Sequence, residues 1–321
     1  MLKISLSAKK FICFFIAALI LLVSLCGCRA KTESEPTDGN ITFIDALGRT
    51  VTITEPPTRV AALIGSFAEV WQLAGGNICA TADDAWNDFG LTLDDAVNIG
   101  GAHSPNLEML LSANPDFVIA SASTASNVEM KTVLQSAGIT VAYFDVDSFY
   151  DYLDMLRICT DITGRADLYS KNGSELLKKV EEIKGTLSGD SFPENHRKIL
   201  LLRTSSGLLK AKGSQGTILG EMLSDLGCIN IADSDTSLLE NLSVESVIRE
   251  EPYRIFVVTM GNDTEAAKAN LFRTIKENPA WESLEAVKFD RLHIMDRRLF
   301  NIKPNARWAE AYEILGKILQ G

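Results

Sequence analysis

Two distant segments share one grammar at a constant offset, and this repeat restricts the possible folds more than any other feature of the chain. Residues 107–120, LEMLLSANPDFVIA, align with residues 244–257, VESVIREEPYRIFV. Each holds a short helical run with Glu at its second position (Glu108, Glu245), then a proline that stops the helix, then an apolar β run. A strand-turn-helix-Gly unit also recurs, as RVAALIGSFAEVWQLAGG from Arg59 and as KILLLRTSSGLLKAKGSQGTILGEMLSDLG from Lys198. Strands are expected near 60–64, 78–81, 117–120 and 140–144, with helices near 67–74, 107–112, 128–137 and 149–163. Residues 41–53 alternate on both sides of Asp45 to Arg49 and predict a hairpin. This is α/β order with mostly parallel sheets.

Between the repeats lies the longest amphipathic run after the N-terminus. Tyr169, Leu176, Val180, Ile183 and Leu187 fall seven, four, three and four apart, predicting one helix over 165–187, and GDSFPEN then breaks it. The expected architecture is two Rossmann-like α/β lobes, 41–164 and 189–321, joined by one long interlobe helix over 165–188.

The segment 1–27 carries Lys3, Lys9 and Lys10, no acid, and an apolar run from Phe11 to Leu25 too short for an ordinary spanning helix, which reads as an export signal. It ends in Leu25-Cys26-Gly27-Cys28, matching a bacterial lipobox with Cys28 as the lipidated thiol. Positions 28–40 read as a flexible tether. From Cys28 onward lie all 42 acids and all but three of the 31 bases, an acidic balance that argues against nucleic acid as a partner. Cys79, Cys159 and Cys228 remain, an odd number without Cys-x-x-Cys spacing, and read as buried thiols.

The turn Gly65-Ser66 between strand and helix raises the question of a phosphate loop. Neither Gly-x-Gly-x-x-Gly nor Gly-Lys-Ser/Thr is present. Ser66 followed by Glu69 reads as a capping box, and the turn reads as one lip of a site beyond the carboxyl ends of the strands.

In order along the chain, DALGRTVTI, RVAALIGSFAEVWQLAGG, NIGGAHSPNLEMLLSANPDFVIA, LSVESVIREEPYRIFVV and KPNARWAEAYEILGKIL resemble the substrate-binding lipoproteins of ABC importers for iron-siderophores, haem and cobalamin. The resemblance covers nearly all of 41–321 and implies a class III periplasmic-binding-protein-like fold, with the ligand in the cleft between lobes. It implies an ABC permease and its ATPase as partners, a small metal chelate as ligand, no cofactor, no enzymatic activity, a monomer, and a place on the extracytoplasmic face of the cell membrane, anchored through Cys28. Carried over position by position, the cleft residues are Ser66, Phe67, Asp84, Trp86, Ala102, His103, Ser121, Ser123 and Thr124 from the first lobe. From the second come Arg203, Ser205, Met260, Gly261, Arg297 and Arg298. The resemblance also implies one acidic permease contact on each lobe, for which Asp94 or Asp95 and Glu265 are the candidates.

Several of these residues have two readings. Trp86, in DDAWNDFG, either stacks on a ligand or plugs the surface of the core. Arg203 either faces an anion or forms a structural ion pair. Arg297-Arg298 is either a ligand clamp or a solvated pair, and His103 either an axial metal ligand or a solvated loop residue that helps to cap the next helix. His103, His196 and His293 are scattered and lack an acidic ligand cluster, so direct binding of a bare divalent ion is not expected and the chelate brings its own metal ligands. Serines and arginines favour an anionic siderophore, whereas Asp83, Asp84 and Asp88 pull the other way. Two rival functions use the same chain: a two-lobed transferase or hydrolase, for which no nucleophile elbow, metal triad or phosphate loop is found, and an anchored adhesin without a small ligand.

Overall fold

The computed structural model describes residues 40–187, 192–261 and 263–321. The export signal, Cys28 and nearly all of the tether lie outside the described residues. In chain order the main strands are β1 (Ile41–Ile44), β2 (Thr50–Ile53), β3 (Val60–Ala62), β4 (Ile78–Thr81), β5 (Val97–Asn98), β6 (Phe117–Ser121), β7 (Thr140–Phe144), β8 (Lys198–Thr204), β9 (Leu209–Ala211), β10 (Ile229–Asn230), β11 (Arg254–Thr259) and β12 (Leu292–Met295).

The alternating residues around Asp45 to Arg49 form the expected hairpin, with Ile41 opposite Ile53 and Ile44 opposite Thr50. Asp45 closes its turn by accepting the Leu47 and Arg49 amides, both at 3.0 Å. Two five-stranded sheets follow. The first runs β5-β4-β3-β6-β7 with every pair parallel. The second runs β9-β8-β11-β12, with β10 also on β8, and only β9 is antiparallel.

The repeat seen in the sequence is a repeat of structure. Helix Leu107–Ser112 is capped by the Asn106 side chain and leads into β6, while Val244–Glu250 is capped by Ser243 and leads into β11. Both strands sit inside their sheets, β6 between β3 and β7 and β11 between β8 and β12. Their continuous apolar runs suit strands covered on both faces. Even the backbone turn between helix and strand matches: Asn114 (φ 49°) and Glu251 (φ 47°), equivalent positions of the two halves, are both left-handed.

The expected helix over 165–187 is present but not uniform. Helix Phe149–Thr163 stops at Gly164 in a left-handed C-cap, and Ala166–Tyr169 then runs through a π-helical stretch, Ser170–Ser174, into Glu175–Thr186. The Asn172 carbonyl in this stretch accepts the Tyr152 hydroxyl at 2.8 Å, and the Asn172 amide donates to the Leu73 carbonyl at 2.9 Å. The wide turn therefore has tertiary partners that a plain α-turn would not place in the same way.

One buried cluster runs from the inner face of the first sheet (Ala62, Phe117, Ile119), past Leu176 and Val180 of the bridging helix, to Ile199, Leu201 and Phe256 of the second sheet. The C-terminal helix Trp308–Gln320 lies along it, with the Phe149 and Trp308 rings 5.7 Å apart. The outer face of each sheet has its own core, around Val118 and Tyr143 in the first and Val257 and Trp281 in the second. Two sheets that share one close-packed core resist wide relative swings.

Candidate functional site

The loops that follow the strands of the two sheets meet one another, and this junction is where an open α/β fold places ligands. On the first sheet, β3 leads at once into helix Gly65–Leu73, and β4 leads into the short helix Asp84–Asn87. Gly65 is there because of close approach: a Cβ would lie 2.4 Å from the Ala85 nitrogen and 2.6 Å from its Cα. Its amide donates to Asp84 Oδ1 at 2.9 Å, so Asp84 covers the helix start. The expected Ser66-Glu69 capping box does not form. The N-cap is Ile64, Ser66 is already helical, and Glu69 points away to Arg298 and Asn305 of the second half of the chain.

The candidate cleft residues divide into three groups. Some are held in the interior: Ser66 is 4% exposed with its carbonyl accepting from Asn305, and Phe67 is 1% exposed with its ring edge-on to Phe144 at 6.2 Å. Phe67 is thus a core residue and not an open lip, because the helix turns that face toward the shared core. Some are occupied by partners. Arg297 forms a two-point ion pair with Asp88 (2.7 and 3.1 Å), and Arg298 Nη2 donates to both oxygens of Glu69 (2.8 and 3.1 Å). Neither reading of that pair, clamp or solvated, describes these bonds.

The remainder gather at the strand ends. Asp84, Trp86 and Ala102 are half-buried, and His103 is exposed; the next helix is capped by Asn106 and not by His103. Ser121 is buried at the end of β6, and its hydroxyl meets those of Ser123 and Thr124, each at 3.1 Å. On the second sheet Arg203 is half-buried at the end of β8, Ser205 begins a tight turn closed by the Leu208 carbonyl at 2.8 Å, and Met260 and Gly261 are exposed after β11. Asp94 and Asp95 are exposed, and Glu265 pairs with Lys268 at 2.8 Å on an open helix face.

Three basic residues that sequence reasoning did not single out complete the electrostatics. Lys210 sits directly across the hairpin from Arg203, and Lys212 follows opposite Leu201, so Arg203, Lys210 and Lys212 share one face. Among the described residues neither Arg203 nor Lys210 nor Lys212 forms a salt bridge, and Arg203 Nε is buried without a hydrogen-bond partner. Burial holds the Arg203 guanidinium below its ordinary range, and Lys212 is lowered by burial and then by Arg203 and Lys210. A cavity of about 650 Å³ opens beside the two lysines but not Arg203, lined by Lys210, Lys212, the 213–217 loop and Asp233.

The last of the three is Lys303. Its ammonium lies 5.8 Å from the centre of the Phe67 ring, and burial pushes it down while Asp147, Asp145, Asp84 and Asp151 pull it up. Desolvation in turn raises Asp84 and Asp147. Alternating register marks Lys210 once the hairpin is known, but nothing in NIKPNAR signals that Lys303 reaches the acids of the other sheet. Among the described residues no cluster of three or more His, Cys, Asp or Glu side chains could hold a metal ion.

A family profile described as periplasmic binding protein matches residues 60–299. The chain belongs to that family. A Bacillus subtilis relative named Fe(3+)-citrate-binding protein YfmC is 26% identical over 90% of this chain and 90% of its own length. An uncharacterized ABC transporter substrate-binding lipoprotein of the same organism, YvrC, is 25% identical with the same coverage. Among solved structures, Staphylococcus aureus SirA complexed with staphyloferrin B superposes with a TM-score of 0.65 at 20% identity, over 86% of this chain and 96% of that one. In this member of the periplasmic binding protein family, two α/β halves have mostly parallel sheets.

Proposed function

We propose that this chain is the substrate-binding lipoprotein of an ABC importer, anchored on the extracytoplasmic face through Cys28, and that it captures an anionic ferric chelate between lobes 41–164 and 189–321 bridged by 165–188. The carrying observation is the basic face of Arg203, Lys210 and Lys212 on the β8–β9 hairpin, where Arg203 and Lys212 are half-buried, Lys210 is exposed, and none of the three forms a salt bridge among the described residues. Unpaired cations of this kind favour a ligand that supplies carboxylate or similar oxygens. The name of YfmC and the ligand bound to SirA support the same class. Trp86, Asp84, Ser123, Thr124 and Met260 are the further residues proposed to line the site, with His103 at its rim.

Delivery requires docking on a permease. Glu108 and Glu245 are exposed, occupy the same position in the two repeated helices, and so offer one carboxylate on each lobe; they join Asp94, Asp95 and Glu265 as proposed contacts.

The test is an absorbance spectrum of the protein purified from its own cells, followed by tryptophan-quenching titrations with ferric citrate, haemin and cyanocobalamin. A broad charge-transfer band and quenching by ferric citrate are expected. A Soret or corrin band would replace the chelate with a macrocycle, and quenching by none of the three would reject the ligand class.

A further inference from the structure

The same cleft holds a device that no ligand contact requires. Between the end of β12 and the C-terminal helix, residues 297–305 cross from the second sheet to the first and bind it at several points. Arg298 Nη2 donates to both Glu69 oxygens, at 2.8 and 3.1 Å, whereas Arg297 pairs with Asp88 fork to fork, Nη1 to Oδ1 at 2.7 Å and Nη2 to Oδ2 at 3.1 Å. Asn305 donates to the Ser66 carbonyl at 2.9 Å and to Glu69 Oε2 at 2.6 Å. The Arg298 guanidinium lies 4.4 Å over the Phe89 ring, and its Nη1 donates to the Lys303 carbonyl at 2.8 Å, tying the segment to itself.

Three features separate this from an ordinary surface ion pair. The Arg298 and Glu69 side chains are only 19% and 17% exposed, so solvent screens the pair weakly. Asn305 is fully buried and left-handed (φ 54°), a conformation that persists where its surroundings impose it. Finally, its polar partners Ser66, Glu69 and Asp88 lie in the helical segments that follow β3 and β4, whereas Leu299 and Phe300 of the segment itself join the shared core.

We infer that segment 297–305 is an interlobe clasp that sets the angle of the cleft, and that Glu69 is its positioning residue, because Glu69 alone receives both Arg298 and Asn305. The fork-to-fork Arg297–Asp88 pair fixes orientation as well as distance, and at Glu69 the Asn305 amide adds a second donor to the Arg298 contact. These bonds run from residues 297–305 to Ser66, Glu69 and Asp88 and so tie the loops of the second half to those of the first. The inference depends on the two-lobed importer reading for its purpose but not on the identity of the chelate.

The experiment is hydrogen exchange by mass spectrometry on the unliganded full chain, comparing the native protein with Glu69→Gln and Asp88→Asn. Amides of residues 65–73 and 297–305 are expected to exchange faster in both variants, on the order of tenfold or more for Glu69→Gln, while β6 and β11 keep native protection. The Asp88→Arg/Arg297→Asp double swap should recover native exchange at residues 297–305. Unchanged exchange at both faces would overturn the clasp, and so would a rise spread equally over β6 and β11, which would reduce Glu69 to a general structural role. Should Glu69→Gln fail to fold, the Asp88 variants decide alone. No ligand enters the measurement, so failure of the clasp and failure of the chelate reading are read separately.

Discussion

Arg203 and Lys210 face each other directly across the β8–β9 hairpin, two cations in register, neither of which forms a salt bridge among the described residues. Like charges at opposed positions cost a sheet roughly 0.2–1 kcal/mol. Replacing either by Gln should therefore leave the melting temperature equal or slightly higher while weakening ferric citrate binding at least about tenfold, as expected for a lost charge-assisted contact. Calorimetry and fluorescence titration on the same preparations check both halves. A fall in stability with intact affinity would show that the cluster supports the fold instead of a ligand.

The structural repeat yields a second expectation. Glu251 holds φ 47° and is exposed, at the position where the first half uses Asn114. Left-handed backbone costs a side chain such as Glu about 1 kcal/mol, whereas Asn tolerates it through its short polar side chain. Glu251→Asn should raise stability by roughly 0.5–1 kcal/mol without touching binding, read as a shift in the denaturant midpoint. A lower midpoint would mean that the Glu251 side chain makes a contact worth more than the strain.

Much of this architecture was legible in the sequence because it rests on period. The hairpin at 41–53, four of the five strands of the first sheet and the constant offset between the two halves all appear in the structure, whereas the two-residue strand Val97–Asn98 is too short to show a period. What period cannot show is where a polar side chain goes once distant segments meet. Ser66 and Glu69 have capping-box spacing, yet Glu69 is taken by Arg298 from the other half of the chain. Spacing of seven between Tyr169 and Leu176 is equally ambiguous, since it spans two α-turns or, as here, a stretch containing the π-turn Ser170–Ser174. The acids that surround Lys303, Asp84 and Asp145 to Asp151, all come from the first half of the chain, so no local pattern marks it.

Phe67 illustrates how such placement changes an expected phenotype. From the sequence, Phe67→Ala predicts weaker binding at nearly constant stability. With the ring 1% exposed and edge-on to Phe144, the substitution instead removes core packing and should cost roughly 3–5 kcal/mol. Trp86 is half-buried, and its replacement by Ala should shift affinity more than stability. Thermal unfolding of the two variants side by side distinguishes them, and similar losses in both would place Trp86 in the core as well.

The last expectation concerns pH and lies at the far end of the second sheet from the cleft. His196 stacks on Tyr253 at 3.8 Å, and the His293 ring lies 5.4 Å from Phe256, with its Nε2 buried and unpartnered. Buried Arg254 donates to the His196 carbonyl at 3.2 Å and to the Leu319 carbonyl at 3.1 Å. Burial first, then Arg254, and for His196 also Arg291, hold both imidazoles below the ordinary value of 6.5; only Asp290 pulls His293 the other way. The unfolded chain therefore takes up protons near pH 6.5 that the folded chain refuses, so this contribution costs nothing above that pH and destabilises progressively below it. The melting temperature should fall between about pH 6.5 and about pH 5, and a His196→Gln/His293→Gln variant should show a shallower slope over the same window. An identical slope in the variant would assign the acid sensitivity to carboxylates elsewhere in the molecule.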